Sequence, residues 1–457
     1  MLTAVAGIPG ILALIVCMRS GPERAFLRVY LPTLLLLPTY FHWTFTLHLG
    51  FSETAILPIA AFFVARSWDQ WRWSLTDFLV FGLVATTVVS QYVNSGYSMA
   101  QNLAIHGICN VILPYALAKV MLQDEQLRVE FIKTVVILLA FIAITSIYEF
   151  RMTPDPFKIL PAFFFPDQFD AFAQRRYNLT RIAGPFPHAI LCGMMLAAAY
   201  WFARWLDWTG NWRGKMPFLP ISKVRFCKLA IFGGSLMTIS RGPWVGAIVA
   251  VVVVWLCMSR DKRALAVNAF VLTLAAVPIF WTASSYVSVT RDQSASETQE
   301  TAAYRHELVQ KYIVIAEERP TWGWGFTDDP RGGQAFPILD GMKSIDNHYL
   351  LLALEHGEYA LALMVAILIW TPIRLLVYGE RRVYGDPDGL LAFVLLGVYI
   401  TFAVSIATVW LGGQTQPLLF LVAGWSEGLL LAPSRVRHLV SEPSASPLPY
   451  KFERVMA

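Results

Sequence analysis

The stretch "SIDNHYLLLALEHGEYALALMVAILIW" (344–370) decides the kind of fold this chain adopts. Its apolar run is long enough to cross a bilayer, which takes about 20 residues. Yet it opens with Asp346, Asn347 and His348 and carries Glu355 two turns further on. Polar groups at that depth cost free energy unless they have a structural partner or a task. Working outward, apolar runs recur near 2–18, 29–49, 52–66, 76–94, 103–121, 131–149, 184–206, 225–240, 242–258, 264–285, 347–373, 388–411 and 416–433. The predicted fold is all-α, a polytopic helical membrane bundle of about 12 transmembrane helices.

Composition agrees with that fold. Of 457 residues, 56% are hydrophobic and 15% charged, against roughly a quarter charged in soluble domains. Mean hydropathy is +0.53. The net charge of +5 is modest, and the basic residues fall between apolar runs, so nothing argues for a nucleic-acid partner. Cys17, Cys109, Cys192, Cys227 and Cys257 stand singly, without metal-ligand or redox spacing, and read as small lipid-facing or core residues. The N-terminus lacks a basic n-region, so its apolar run reads as a span and not a cleaved signal.

The distribution of Lys and Arg orients the spans. Residues 204–228 hold six, 259–263 three, 374–382 three and the tail after Pro433 four, whereas the connections 240–244 and 411–417 are nearly uncharged. Basic connections and the C-terminus are therefore expected in the cytoplasm. The chain then divides into N-terminal spans (1–149), an outer loop (150–183), central spans (184–285), a large periplasmic loop (286–346), C-terminal spans (347–433) and a cytoplasmic tail (434–457).

Both outer loops are rich in cations. The first carries Arg151, Lys158, Arg175, Arg176 and Arg181; the second carries Arg291, Arg305, Lys311, Arg319, Arg331 and Lys343. Either they bind an anion on that face, or long loops simply translocate regardless of charge. Within the second loop, Tyr304, Leu308, Tyr312 and Ile315 recur at helical spacing and Pro320 closes the run, which predicts an amphipathic helix lying on the outer membrane face.

Topology gathers the unusual residues on one side. Arg181 lies at the mouth of a span, Arg241 in the tight outer turn, Arg305 on the amphipathic helix and His348 at the outer end of its span. Three guanidiniums suit a pyrophosphate, because each offers planar, bidentate donors and keeps its proton. His348 titrates near neutrality, as a general base acting on an alcohol must. Glu355, seven residues on, shares its helical face and is expected to hold the ring or a neighbour in place. Taken singly, each residue has an ordinary structural reading: an interfacial His348, an Arg241 snorkelling from a helix end, a solvated Arg305. Their joint placement favours a site. "TDDP" (327–330) offers Asp328 and Asp329 to a metal, but in turn-rich context; a metal-free mechanism without a cofactor is expected.

Four segments carry a resemblance: "YNLTRIAGPFPHAILCG" (177–193), "TISRGPWVGAIVA" (238–250), "YRHELVQKYIVIAEERPTWGWGF" (304–326) and "DNHYLLLALEHGEYAL" (346–361). In this order they resemble the O-antigen ligase and polymerase superfamily. The matching positions are Arg181 and Gly184; Ser240, Arg241 and Gly242; Arg305, Pro320, Gly323 and Gly325; and Asn347, His348, Glu355 and Gly357. "FPHA" departs from the pattern, so His188 receives no role from it. The resemblance implies a GT-C-like, metal-independent, inverting glycosyltransferase on the periplasmic face of the bacterial inner membrane. Its donor would be a glycan on undecaprenyl pyrophosphate, entering from the lipid, and its acceptor a glycan, a lipid A core or a protein. By the same resemblance His348 and Arg305 would be catalytic, Arg181, Arg241 and Arg305 would grip the pyrophosphate, and Asn347 and Glu355 would support them. Ligase and polymerase share this donor chemistry, so both stay open. A flippase for lipid-linked saccharides would need charges along a mid-membrane path and internal pseudo-symmetry; the spans are poor in central charge and show no repeat.

Overall fold

The computed structural model describes residues 2–39, 41–42, 49–165, 174–217, 220–259, 263, 267, 293, 296–326, 336–337, 339, 345–383 and 385–432. Most of the span expected at 264–285, the Asp328–Asp329 pair and the tail 434–457 lie outside the described residues. The main helices are α1 (Ile8–Ser20), α2 (Phe51–Ser67), α3 (Leu75–Ser95), α4 (Tyr97–Met121), α5 (Glu125–Met152) and α6 (Ala189–Thr209). They continue with α7 (Lys223–Met237), α8 (Arg241–Met258), α9 (Glu297–Glu318), α10 (His348–Arg381), α11 (Pro387–Ser405) and α12 (Thr415–Leu431). One short hairpin, β1 (Arg175–Arg176) with β2 (Leu179–Thr180), interrupts an otherwise helical architecture.

Among the described residues, α3, α4, α5, α6, α8, α10 and α11 are long and apolar enough to cross a membrane. The chain is a multi-pass membrane protein. The apolar helices α1, α2, α7 and α12 are shorter, at 13, 17, 15 and 17 residues. The run expected as a span at 29–49 departs from a continuous helix: its helical turns end at Leu36, and Leu37 is extended. Helix starts follow local chemistry. Asp124 accepts from Leu127 N at 2.8 Å and Asp386 from Gly389 N at 3.0 Å. These caps satisfy amide donors that the first helical turn leaves unbonded.

Helices α6, α11 and α12 form the centre of the bundle, with Trp205, Tyr399 and Trp425 almost fully enclosed. Lipid tails are as apolar as leucine, so helix association here depends on close packing more than on hydrophobic transfer. The contact of α8 with α11 shows this. A Cβ at Gly242 would lie 2.1 Å from Thr408 Oγ1, and one at Gly246 would lie 2.8 Å from Thr401 O. These two positions, four apart, let α8 press onto α11. Helix α3 packs along α10, α10 along α11, and α12 along the second half of α4.

The helices also hold more charge than their sequence promised, and three carboxylates among them are paired. Lys119 Nζ lies 2.6 and 2.7 Å from the two Asp77 oxygens and 4.3 Å from the Trp71 ring centre. Tyr115 OH donates to the same carboxylate at 2.5 Å. Glu427 accepts from Thr76 Oγ1 at 2.7 Å and from Arg374, and Glu53 holds His106 and Asn110, each at 2.6 Å. Removing one partner of a buried pair leaves an uncompensated charge. Lys119→Met is therefore expected to destabilise the bundle by about 3–5 kcal/mol, read as a lowered melting temperature in detergent. Adding Asp77→Asn should restore much of the loss. An unshifted melting temperature in the single variant would contradict this.

Candidate active site

The site is built on a strained turn. Ile239, between α7 and α8, has φ of +47°, a region that a β-branched side chain avoids. The strain turns the carbonyls of Thr238 and Ile239 toward the segment that precedes α6. Arg181 Nε donates to Thr238 O at 3.0 Å and its Nη2 to Ser240 Oγ at 2.8 Å. Arg176 Nη1 donates to Ile239 O at 3.3 Å, and Arg241 donates to the Tyr177 hydroxyl. Tyr177 and Asn178 both have positive φ, 51° and 61°, as a tight hairpin turn of the strand-matching kind demands. That turn puts Arg176 and Arg181 on neighbouring stretches of one hairpin. Glu149 on α5 fixes the other side, accepting from Ala183 N at 2.9 Å and Gly184 N at 3.0 Å.

Arg176, Arg181, Arg241 and Arg305 line one small pocket of about 60 Å³, with Ser240, Gly242 and Thr301. The three arginines singled out in the sequence therefore meet, and Arg176 joins them. Helix α9 delivers Arg305. Its stripe of Leu308, Tyr312 and Ile315 is buried against Ile345, Leu350 and Leu354, so the predicted amphipathic helix packs its main apolar face on the chain itself. Val309, Ile313 and Val314 form a second, exposed stripe. Arg305 Nη2 donates to Thr408 O at 3.3 Å, while its Nε is buried without a protein partner.

Electrostatics mark the cluster. Arg181, 8% exposed, is pulled down to about 10, by burial first and then by Arg176 and Arg305, with Asp346 opposing. Arg305 is lowered by burial, with Asp346 opposing and Arg176 and Arg241 reinforcing. Like charges gathered with one nearby acid favour an incoming anion.

His348 opens α10 beside this pocket without lining it. Its backbone N–H donates to Ile406 O at 2.8 Å, two residues from the carbonyl that Arg305 uses. Its Nδ1 is buried with no protein partner. Asn347 is the helix cap, accepting from Tyr349 N at 3.0 Å and Leu350 N at 3.3 Å. Among the described residues no hydrogen bond joins Glu355 to His348, and two turns of helix place it about 10 Å along the axis. Its backbone carbonyl is what the structure uses, accepting from Gly325 N at 2.8 Å.

That contact explains the spacing of Pro320, Gly325 and Gly357. Helix α10 breaks at Gly357, whose φ is +81°. The segment after α9 docks on the break: Trp324 N donates to Leu354 O at 2.8 Å and Glu358 N to Pro320 O at 2.7 Å. From α3, Ser90 Oγ reaches Trp322 O at 2.6 Å, and Gln91 exchanges two bonds with the Phe326 backbone.

His188 belongs to this surface too. It caps α6, its Nδ1 accepting from Ile190 N at 3.0 Å, and Ile190 lines the arginine pocket. Burial, then Arg181 and Arg305, push it down to about 4.

Fold and site together define a multi-pass membrane protein with a cationic pocket among its helix ends. Residues 226–365 match the family described as O-antigen ligase, and the chain carries a domain of that family. The match takes in Arg241, Arg305, Asn347, His348 and Glu355; Arg176 and Arg181 lie before it. No curated protein matches the chain.

Two outcomes follow from this geometry. At Gly357 a Cβ would stand 2.4 Å from Thr321 O on backbone suited to glycine, so Gly357→Ala should cost about 1–3 kcal/mol and speed hydrogen exchange at 320–326; unchanged exchange there would refute the docking role. His188 binds its proton below the ordinary value of 6.5. Between that value and about 4 the unfolded chain is protonated first, so stability is complete above the window and is lost as pH falls through it. His188→Asn keeps a cap acceptor and is expected to flatten that slope in melting temperature against pH.

Proposed function

We propose that this chain transfers a glycan from undecaprenyl pyrophosphate to an acceptor hydroxyl at the periplasmic face of the bacterial inner membrane. The convergence of four guanidiniums, two from one hairpin, one from the start of α8 and one from α9, on one pocket carries this reading. A guanidinium has five N–H donors, and Arg181 spends two of them on the protein. The remaining donors suit the oxygens of a diphosphate, whose charge grows as the glycosidic bond to it breaks. Such a clamp supplies the positive charge that a divalent cation supplies in other sites, and the mechanism is metal-independent. The acceptor oxygen attacks the anomeric carbon from the face opposite the leaving group, which inverts configuration. His348 takes the acceptor proton, with Asn347 holding the helix start that carries it.

O-antigen ligase-type transfer to a lipid A core, glycan or protein is the reading preferred; repeat-unit polymerisation uses the same donor chemistry. Reconstitution with a lipid-linked oligosaccharide and both acceptor types separates them. One discrete product means ligase, a ladder means polymerase, and transport without a new glycosidic bond means a flippase. His348→Ala is expected to lower turnover by about 10²–10⁴ and Arg305→Ala by about 10²–10³, with membrane insertion intact. Wild-type turnover in either variant removes that residue from the mechanism.

A further inference from the structure

At the helix ends away from the arginine pocket, α6 and α8 diverge around a second cavity of about 560 Å³. Its lining includes Trp201, Arg204 and Trp208 from α6 and Val251, Val254 and Trp255 from α8. Arg204 is fifteen residues beyond the start of α6, roughly 22 Å along its axis, so the two cationic sites are far apart.

Among the described residues, Arg204 is the cation of this groove, and the lining holds no carboxylate to answer it. The acid one turn along its helix, Asp207, is taken by Lys228 of α7. The guanidinium instead lies 4.7 Å from the Trp208 ring centre and 5.9 Å from that of Trp201. Stacking on indole holds a guanidinium flat and leaves its edge N–H groups to donate in plane. Below it, Val251 and Trp255 are 42% and 56% exposed on the outer side of α8, an apolar path for a hydrocarbon chain.

We propose that this groove binds an anionic glycerophospholipid, its phosphodiester on Arg204 and one acyl chain along Val251 and Trp255. One guanidinium matches the single charge of a phosphodiester, whereas the four arginines at the other end suit a diphosphate. A choline headgroup would bring a second cation toward Arg204, which already lies near the Trp208 and Trp201 rings. Basic pockets between membrane helices bind anionic headgroups in this manner.

The test uses the full chain, delipidated in detergent, with phosphatidylglycerol, phosphatidylcholine and inorganic phosphate as separate probes, read by native mass spectrometry. The wild type is expected to retain one phosphatidylglycerol with about tenfold preference over phosphatidylcholine, the size of one charge-assisted hydrogen bond, and to retain no phosphate. Arg204→Gln should bring that preference to about one. Val251→Trp, which fills the groove from the lipid side and leaves Arg204 in place, should remove one bound phosphatidylglycerol, and it decides the matter where Arg204→Gln does not fold. No preference in the wild type, an unchanged preference in Arg204→Gln, an unchanged count in Val251→Trp, or equal retention of inorganic phosphate would each overturn the proposal.

Discussion

The strained turn at Thr238–Ser240 is held shut by Arg181, and the arginine pocket depends on that closure. A β-branched residue at positive φ costs of order 1–3 kcal/mol. Two charge-assisted hydrogen bonds from one guanidinium, each contributing about 1.5–3 kcal/mol, offset it. The bonds also fix the hairpin that carries Arg176 and, through Ile182 N on Met237 O at 3.3 Å, the path of the chain into α6. Glu149 grips the next two amides from behind. A backbone strained on one side and anchored on the other gives the cations a fixed geometry before any anion arrives. That arrangement keeps like charges in place despite their repulsion.

The same contrast runs through the rest of the bundle. Charges within the helices are consumed by partners: Asp77 by Lys119 and Tyr115, Glu427 by Arg374 and Thr76, Glu53 by His106 and Asn110. Such pairings tie one helix to the next and help to fix their register. At the pocket, Arg305 Nε and His348 Nδ1 are buried without protein partners, as are several bundle atoms such as Tyr399 OH and Glu427 Oε2. Leaving a polar atom unpaired costs about 1–3 kcal/mol; what sets the pocket apart is that its unpaired Arg305 Nε stands among three further guanidiniums.

Much of this was legible in the sequence, for identifiable reasons. Apolar length and the placement of Lys and Arg brought Arg181, Arg241 and Arg305 to one side, because membrane topology converts sequence position into a face. Helical periodicity marked Leu308, Tyr312 and Ile315, although it could not say that protein, and not lipid, covers them. Arg176 escaped as a site residue because its entry to the pocket depends on a turn at Tyr177 and Asn178, and a tyrosine at positive φ gives no turn signal. Spacing placed the Glu355 side chain, but the bond its carbonyl accepts from Gly325 depends on tertiary structure. The break at Gly357 has no local breaker beyond the glycine itself; it exists because 320–325 must hydrogen-bond there. The paired carboxylates escaped because each lies alone in its own apolar run.

Three of the motif segments converge on one short stretch, 406–408, where the chain leaves α11. Ile406 O accepts from His348 N, Thr408 O accepts from Arg305, and Gly242, next to Arg241, packs against the Thr408 side chain. Thr408 Oγ1 in turn donates to Ser405 O at 2.8 Å, closing the end of the helix. The proposed base and two members of the proposed clamp are therefore referenced to the same three residues. A displacement of that stretch would move them together and keep His348 at a constant separation from Arg241 and Arg305. Residues 406–408 lie beyond the 226–365 family match. The segments that carry the family resemblance hold the side chains of the proposed site, and a helix end outside the 226–365 match ties their backbones together.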